Sequence, residues 1–230
     1  MTRHWVLALL ACVATASARA ECGDATGDRP VYLTFDTGHM GIAPLVADVL
    51  ARQKVKATFF LAEERTTAGG TSLDDDWAPW WTARAAEGHA FGALAKSPSP
   101  GRICAASQAT ADRFHAMTGR FMPKVFRVSA GKASPQLVAA AEGCDWTNVA
   151  GSVPLGDDVA SRKATNKALL QRALRDVRPG DVLLAHLGTW PRQDAWAPVN
   201  LEPLIEGLKA RGMCFATLRE HPSYRAQFSW

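Results

Sequence analysis

An α/β architecture with a parallel sheet or (β/α) barrel is what this 230-residue sequence predicts. Three observations carry it. Short β-branched and aromatic runs recur along the chain. Stretches with the apolar spacing of amphipathic helices separate them. Glycine, proline and small polar residues fall at the joints between the two. The length suits one domain. With 47% hydrophobic and 21% charged residues, the chain can bury a substantial core and is not expected to be disordered.

The elements follow in order. "VYLTF" (Val31 to Phe35) is the first strand. Ile42, Leu45, Val46, Val49 and Leu50 form an i, i+3, i+4, i+7, i+8 stripe, and Pro44 is tolerable in the first turn of that helix. "ATFFLA" is the next strand, and "WAPWWTARAAEG" reads as a helix ending at Gly88. "HAFGAL" is a short strand. Ile103, Ala106, Phe114 and Met117 mark a helix closed by Gly119, and "KVFRVS" is a strand. Ser134 caps a helix with Pro135 at its first position and Leu137, Val138 and Ala141 on its apolar face. "WTNVAG" is a strand. Thr165 caps a helix carrying Leu169, Leu170, Ala173 and Leu174. "DVLLAH" is a buried-type strand after the turn "RPGD". Leu201, Leu204, Ile205 and Leu208 form the last helical stripe, and "MCFATL" the last strand. The total is about seven strands. "TTAGGTSLDDD" and "AKSPSPGR" look like flexible loops, and "EHPSYRAQFSW" like a tail on the surface.

The first twenty residues stand apart. Arg3 and His4 precede an apolar run from Trp5 to Ala16, and Ala18-Arg19-Ala20 is a small-x-small cleavage pattern. This reads as a secretory signal peptide, too short in its apolar part to span a membrane. A lipoprotein reading with Cys12 modified is the second choice. The expected organisation is therefore a signal peptide, 1–20, and one domain, 21–230, exported to the periplasm or the cell exterior. Removal of the leader leaves Cys22, Cys104, Cys144 and Cys214. An even count in an exported protein suggests disulfides, with three connectivities open. No zinc-type Cys/His spacing occurs. The net charge of +4 comes without a dense basic stripe, which argues against nucleic-acid binding.

Three polar residues end strands: Asp36, Arg127 and His186. In a β/α barrel the carboxyl ends of the strands share one face, where catalytic groups gather. An acid, a cation and a histidine distant in sequence should therefore converge. Taken singly, each has an ordinary structural role open to it: a helix cap, an ion-pair partner or a satisfied core histidine.

Five segments, three of them bearing these residues, resemble the polysaccharide deacetylases with a NodB-homology domain. "TFDTG" is similar to that family's T-F-D-D-G, and "TFFLA" follows at the expected place. "EGHAFG" is similar to the G-H-E-I-G lead into the second motif, "FRVSAG" to F-R-x-P-x-G, and "VLLAH" to L-L-x-H. The resemblance covers roughly Pro30 to Leu218. It implies a distorted (β/α) barrel that removes acetyl groups from a cell-wall or extracellular polysaccharide, peptidoglycan included, by metal-assisted hydrolysis, typically with zinc. It assigns Asp36 as the base, His186 as the acid that protonates the departing amine, and Arg127 as the group orienting the base.

The same resemblance exposes departures. The family's metal-binding second aspartate is Thr37 here, and its two histidines fall on Leu94 and Pro98. A neutral hydroxyl is a poor zinc ligand, and Leu and Pro offer none. Ser129 replaces the proline of the third motif. "CDW" (Cys144 to Trp146) falls at the start of a strand, so Asp157 or Asp158 is the better candidate for the fourth-motif aspartate. A rebuilt metal site would need His39, with Asp36 and one of those aspartates; the alternative for His39 is a local hydrogen bond. His89 sits where the family packs rather than ligates. Two functions follow as expectations: a deacetylase with an altered metal site, or a silent barrel that binds saccharide. For the second, Trp77, Trp80, Trp81, Trp190 and Trp196 offer rings, with Trp190 and Trp81 as candidate sugar-stacking residues, although buried packing is the ordinary fate of tryptophan.

Overall fold

A computed structural model describes Cys22 and residues 28–96, 98–129, 133–150, 152–156, 163–190 and 199–229. The signal-peptide reading, Asp157, Asp158 and Trp196 lie outside the described residues. Strands and helices alternate from β1 (Pro30–Asp36) through α1 (Ala43–Gln53), β2 (Thr58–Leu61), α2 (Ala78–Ala86), β3 (Ala90–Ala95), α3 (Ile103–Thr118), β4 (Val125–Val128) and α4 (Pro135–Glu142). They continue with β5 (Thr147–Asn148), β6 (Ser152–Pro154), α5 (Asn166–Asp176), β7 (Val182–His186), α6 (Leu201–Ala210) and β8 (Cys214–Ala216).

The strands run parallel in the order β5-β4-β3-β2-β1-β7-β6, a curled half-barrel with β5 and β6 at its two edges. The eighth strand shares one edge of β1 with β2. It pairs Pro30–Tyr32, whereas β2 pairs Thr34–Asp36, and β7 runs along the opposite edge. The family-type distorted barrel is thus what the chain forms. The added strand is β6, a three-residue piece too short to carry a pattern of its own.

Side chains alternate across each strand, and this sorts the residues into two layers. Val31, Leu33, Phe35, Phe59, Leu61, Phe91, Ala93 and Phe126 face the helices and form the main core. Tyr32, Phe60, Leu94, Val125, Val182 and Ala216 face inward and form a second cluster with Leu218. Each fully buried large side chain contributes roughly 1.5–3 kcal/mol. The helices start where local chemistry directs: the Ser134 side chain accepts a hydrogen bond from the Leu137 N–H at 3.2 Å, and Thr165 does the same for Ala168 at 3.2 Å.

Two expectations are corrected and a third gains detail. Leu45, at 41% exposure, points away from the core, because α1 begins at Ala43 and its buried face is Ala43, Val46, Ala47, Val49 and Leu50. "TTAGGTSLDDD" is not a loose loop. The Asp74 carboxylate accepts from the Thr71 hydroxyl at 2.7 Å, and the Ser72 hydroxyl donates to the Ala62 carbonyl at 2.6 Å. The C-terminal segment does lie on the surface, with none of residues 219–229 buried, but it is anchored there. Tyr224 and Phe228 pack on the inner cluster, and the Tyr224 hydroxyl accepts from the Ala150 N–H at 3.3 Å, just beyond β5.

Disulfides join Cys22 to Cys214 and Cys104 to Cys144. The first ties the segment before β1 to β8, and the second ties α3 to the turn after α4. No described helix is long and apolar enough to cross a membrane.

Candidate active site

The residues at the carboxyl ends of the strands converge as their spacing requires. Asp36 and His186 are register partners on β1 and β7 and share the inward parity of Tyr32 and Val182. Arg127 projects from β4, with Leu94 of β3 as its register partner. Its side chain crosses toward β1. There one Nη donates to the Asp36 carboxylate at 2.9 Å and to the Thr34 hydroxyl at 2.8 Å. Thr34 passes its own proton to the Leu183 carbonyl at 2.6 Å, so β7, β1 and β4 are linked by one chain of polar contacts.

This ion pair is buried, with side-chain exposures of 4% for Arg127 and 2% for Asp36. Two charges out of water need each other's attraction and further hydrogen bonds. The guanidinium also lies 4.2 Å over the Phe60 ring, whose π-face favours a cation. Even so, its Nε and second Nη have no protein partner among the described residues. Buried donors of this kind call for an acceptor oxygen from water or a ligand.

Thr37 and Leu94, where the resemblance places metal ligands, and His39, the candidate replacement, make other contacts. Thr37 is buried, and its hydroxyl accepts from the Ala62 N–H at 3.0 Å, tying the end of β1 to the end of β2. Leu94 belongs to the inner apolar cluster. His39 is half-buried, and its Nδ1 accepts from the Gly41 N–H at 3.0 Å. A neutral imidazole that accepts at Nδ1 carries its proton at Nε2, so neither nitrogen offers a lone pair to a metal. In this structure His39 makes the local hydrogen bond that was the alternative to its expected metal role.

Among the described residues, the one cluster of metal-type side chains is Cys22, Asp28 and Cys214, and its two sulfurs are bonded to each other. A disulfide has no thiolate to give a metal, so this group is not a zinc site despite its close spacing. The described residues at the strand ends do not fit the zinc that the resemblance implies.

Trp81 is also corrected. It is fully buried against Phe59, Phe91 and Trp80, and its Nε1 donates to the Ser72 carbonyl at 2.7 Å, so its ring cannot meet a sugar. Trp190, by contrast, is 59% exposed in the loop that leaves β7, with its ring 5.2 Å from that of His39. Sequence alone does not separate these two tryptophans, because burial is set by what the neighbouring elements cover. His89 is buried beneath β3 and accepts from the Ala57 N–H at 3.0 Å. It lines a cavity of about 290 Å³ with Phe91, Phe114, Phe121 and Phe228, at the opposite end of the strands from Asp36.

The polysaccharide deacetylase family profile matches residues 23–149, more than half of the chain. Solved structures agree. An acetyl xylan esterase of family 4 from Clostridium thermocellum, in complex with a cobalt ion, superposes with a TM-score of 0.70 at 26% identity, covering 85% of this chain and 91% of the other. A peptidoglycan N-acetylglucosamine deacetylase, Bc1960, gives 0.66 at 26%, covering 85% and 88%. A CE4 family pseudoenzyme from Bacillus anthracis gives 0.68 at 20%, covering 85% of this chain and 66% of its own length. The motifs, the half-barrel and these matches agree: the chain belongs to the polysaccharide deacetylase family.

Proposed function

We propose that this protein is an exported, glycan-recognising member of the polysaccharide deacetylase family in which zinc-dependent hydrolysis no longer operates. The observation that carries this reading is the reuse of Thr37. Its hydroxyl is buried in a hydrogen bond to the Ala62 N–H, where the family places a metal-binding aspartate. Leu94 in the apolar inner wall and the Nδ1 bond of His39 support it. The pseudoenzyme among the structural relatives supplies a precedent of the same fold, and a mutant of that relative is described as having restored enzymatic activity. Two disulfides support an oxidising compartment, as does the leader-like N-terminus. The ligand class is an acetylated polysaccharide or peptidoglycan-type glycan, in line with the acetyl xylan and peptidoglycan named for the esterase and deacetylase relatives.

A second reading, an active deacetylase, is favoured by one feature. Asp36, Arg127 and His186 are retained and brought to the same face, with Asp36 and His186 in register. In that case Asp36 would take a proton from the attacking water, Arg127 would hold its carboxylate in place, and His186 would protonate the leaving group.

Zinc titration of the mature protein by calorimetry, beside the His39→Ala variant, separates the two. The expected result is no stoichiometric binding in either. Tight one-to-one binding by the wild type that is lost in His39→Ala, together with acetate release from chitopentaose, would overturn the silent reading.

A further inference from the structure

We infer that His39 is a positioning residue that holds Trp190 as a platform for the apolar face of a pyranose ring at the mouth of the strand-end site. This rests on the glycan-recognition reading above and adds the residue pair that performs it.

The described tryptophans other than Trp190 are buried or half-buried. A tryptophan left 59% exposed forgoes much of the burial that normally stabilises it. Its location is not arbitrary. It lies four residues past His186 in the loop leaving β7, and His39 lies three past Asp36 in the loop leaving β1. The two loops are stitched together. The Leu187 N–H donates to the Asp36 carbonyl at 2.9 Å, and the His39 N–H donates to the Gly188 carbonyl at 3.1 Å. A third loop joins them, because the Thr67 N–H donates to the His39 carbonyl at 3.0 Å.

The imidazole completes the arrangement. It lies against Gly188, whose φ of +108° suits glycine and where any Cβ would collide with the ring. Gly38 is equally constrained, since a Cβ there would strike the Gly188 carbonyl. The bond from the Gly41 N–H to Nδ1 sets the ring's rotation. So oriented, the imidazole meets Trp190 edge-on, with an interplanar angle of 65°. One histidine therefore fixes the indole relative to Asp36 and His186 by backbone and ring contacts together. A fixed, exposed indole beside polar strand-end groups suits a sugar ring, whose axial C–H face is apolar and whose hydroxyls are polar.

The test measures binding of chitopentaose and of acetylated xylopentaose by calorimetry. The proteins are wild type, Trp190→Ala, His39→Ala and His39→Phe. Trp190→Ala is expected to weaken binding about tenfold, and His39→Ala about threefold, from loss of ring contacts. His39→Phe, which keeps a ring, should stay within about twofold of wild type. A second readout needs no ligand. Acrylamide quenching assigned to Trp190, by difference from the matching Trp190→Phe proteins, should rise in His39→Ala and not in His39→Phe. Binding that survives Trp190→Ala overturns the platform alone. Absence of binding by the wild type overturns both the platform and the glycan reading. Unchanged affinity and unchanged quenching in His39→Ala overturn the positioning role.

Discussion

At the amino-terminal end of the half-barrel the inner face is closed. Leu218, Tyr224 and Phe228 cover it, Tyr32 packs 4.6 Å from His221, and a disulfide ties Cys22 to Cys214. At the carboxyl end the same face carries a buried ion pair, a histidine in register with it, and two guanidinium nitrogens without a protein partner among the described residues. The first end is apolar packing reinforced by a covalent bond. The second keeps charge where burial opposes it. Packing alone would favour apolar residues at both ends, since an ion pair is often no better than a hydrophobic replacement of similar volume. The difference teaches that polar groups are kept at the carboxyl end where packing does not call for them, beside Thr37 and Leu94, which are engaged in a backbone hydrogen bond and the apolar inner cluster.

The comparison breaks most sharply at Arg127. Arg127→Leu leaves the Asp36 carboxylate buried without its cation, and urea denaturation should show a loss of about 3–5 kcal/mol. A loss below about 1 kcal/mol would mean that water reaches Asp36 and that this end is open rather than sealed.

The amino-terminal end is expected to depend on its disulfide. The Cys22–Cys214 bond closes a separation of 192 residues and Cys104–Cys144 one of 40, so loop-closure entropy favours the first. Replacing Cys22 and Cys214 by alanine should cost about 2–5 kcal/mol, and the other pair less, when thermal unfolding of the two double variants is compared. The reverse order would show that the inner face is held by the tail's packing and not by the covalent tie.

The third difference is one of pH. Burial is the main cause that pushes the His89 imidazole down to about 4, against the opposing effect of the Glu87 carboxylate 3.4 Å away. Below its ordinary value of 6.5 the unfolded chain binds a proton that the folded chain refuses. Stability should therefore fall as pH drops from 6.5 to about 4, by about 2–3 kcal/mol from this group. His89→Asn can still accept from the Ala57 N–H, and it should flatten that part of the stability profile while leaving the strand-end site untouched. An unchanged slope would assign the acid sensitivity to other groups.

Much of the fold was legible because its determinants are local. Ser134 and Thr165 cap helices in whatever chain they occupy, and alternating runs such as Val31 to Phe35 become strands wherever a sheet can form. The strand-end position of Asp36, Arg127 and His186 was legible for the same reason. Three things were not. Leu45 satisfies the helical stripe yet lies outside the face that the sheet covers. Trp81 and Trp190 share a residue type, and only the packing of α2 against β2 and β3 separates them. The C-terminal segment has no periodicity of its own and takes its place from the inner wall it covers.

The sequence by itself determined the α/β class, the order of the elements, the family, and the degenerate form of its metal-binding motif. These depend on residue identity and short-range spacing, which a linear chain carries in full. Only the tertiary structure decided which cysteines pair, that Thr37 accepts from Ala62, that His39 anchors Gly188 and Trp190, and that Arg127 reaches Asp36. Each of these contacts joins residues on different strands or loops, most of them far apart in the chain. Their distances are set by the curl and register of the sheet, not by the residues that lie beside them in sequence.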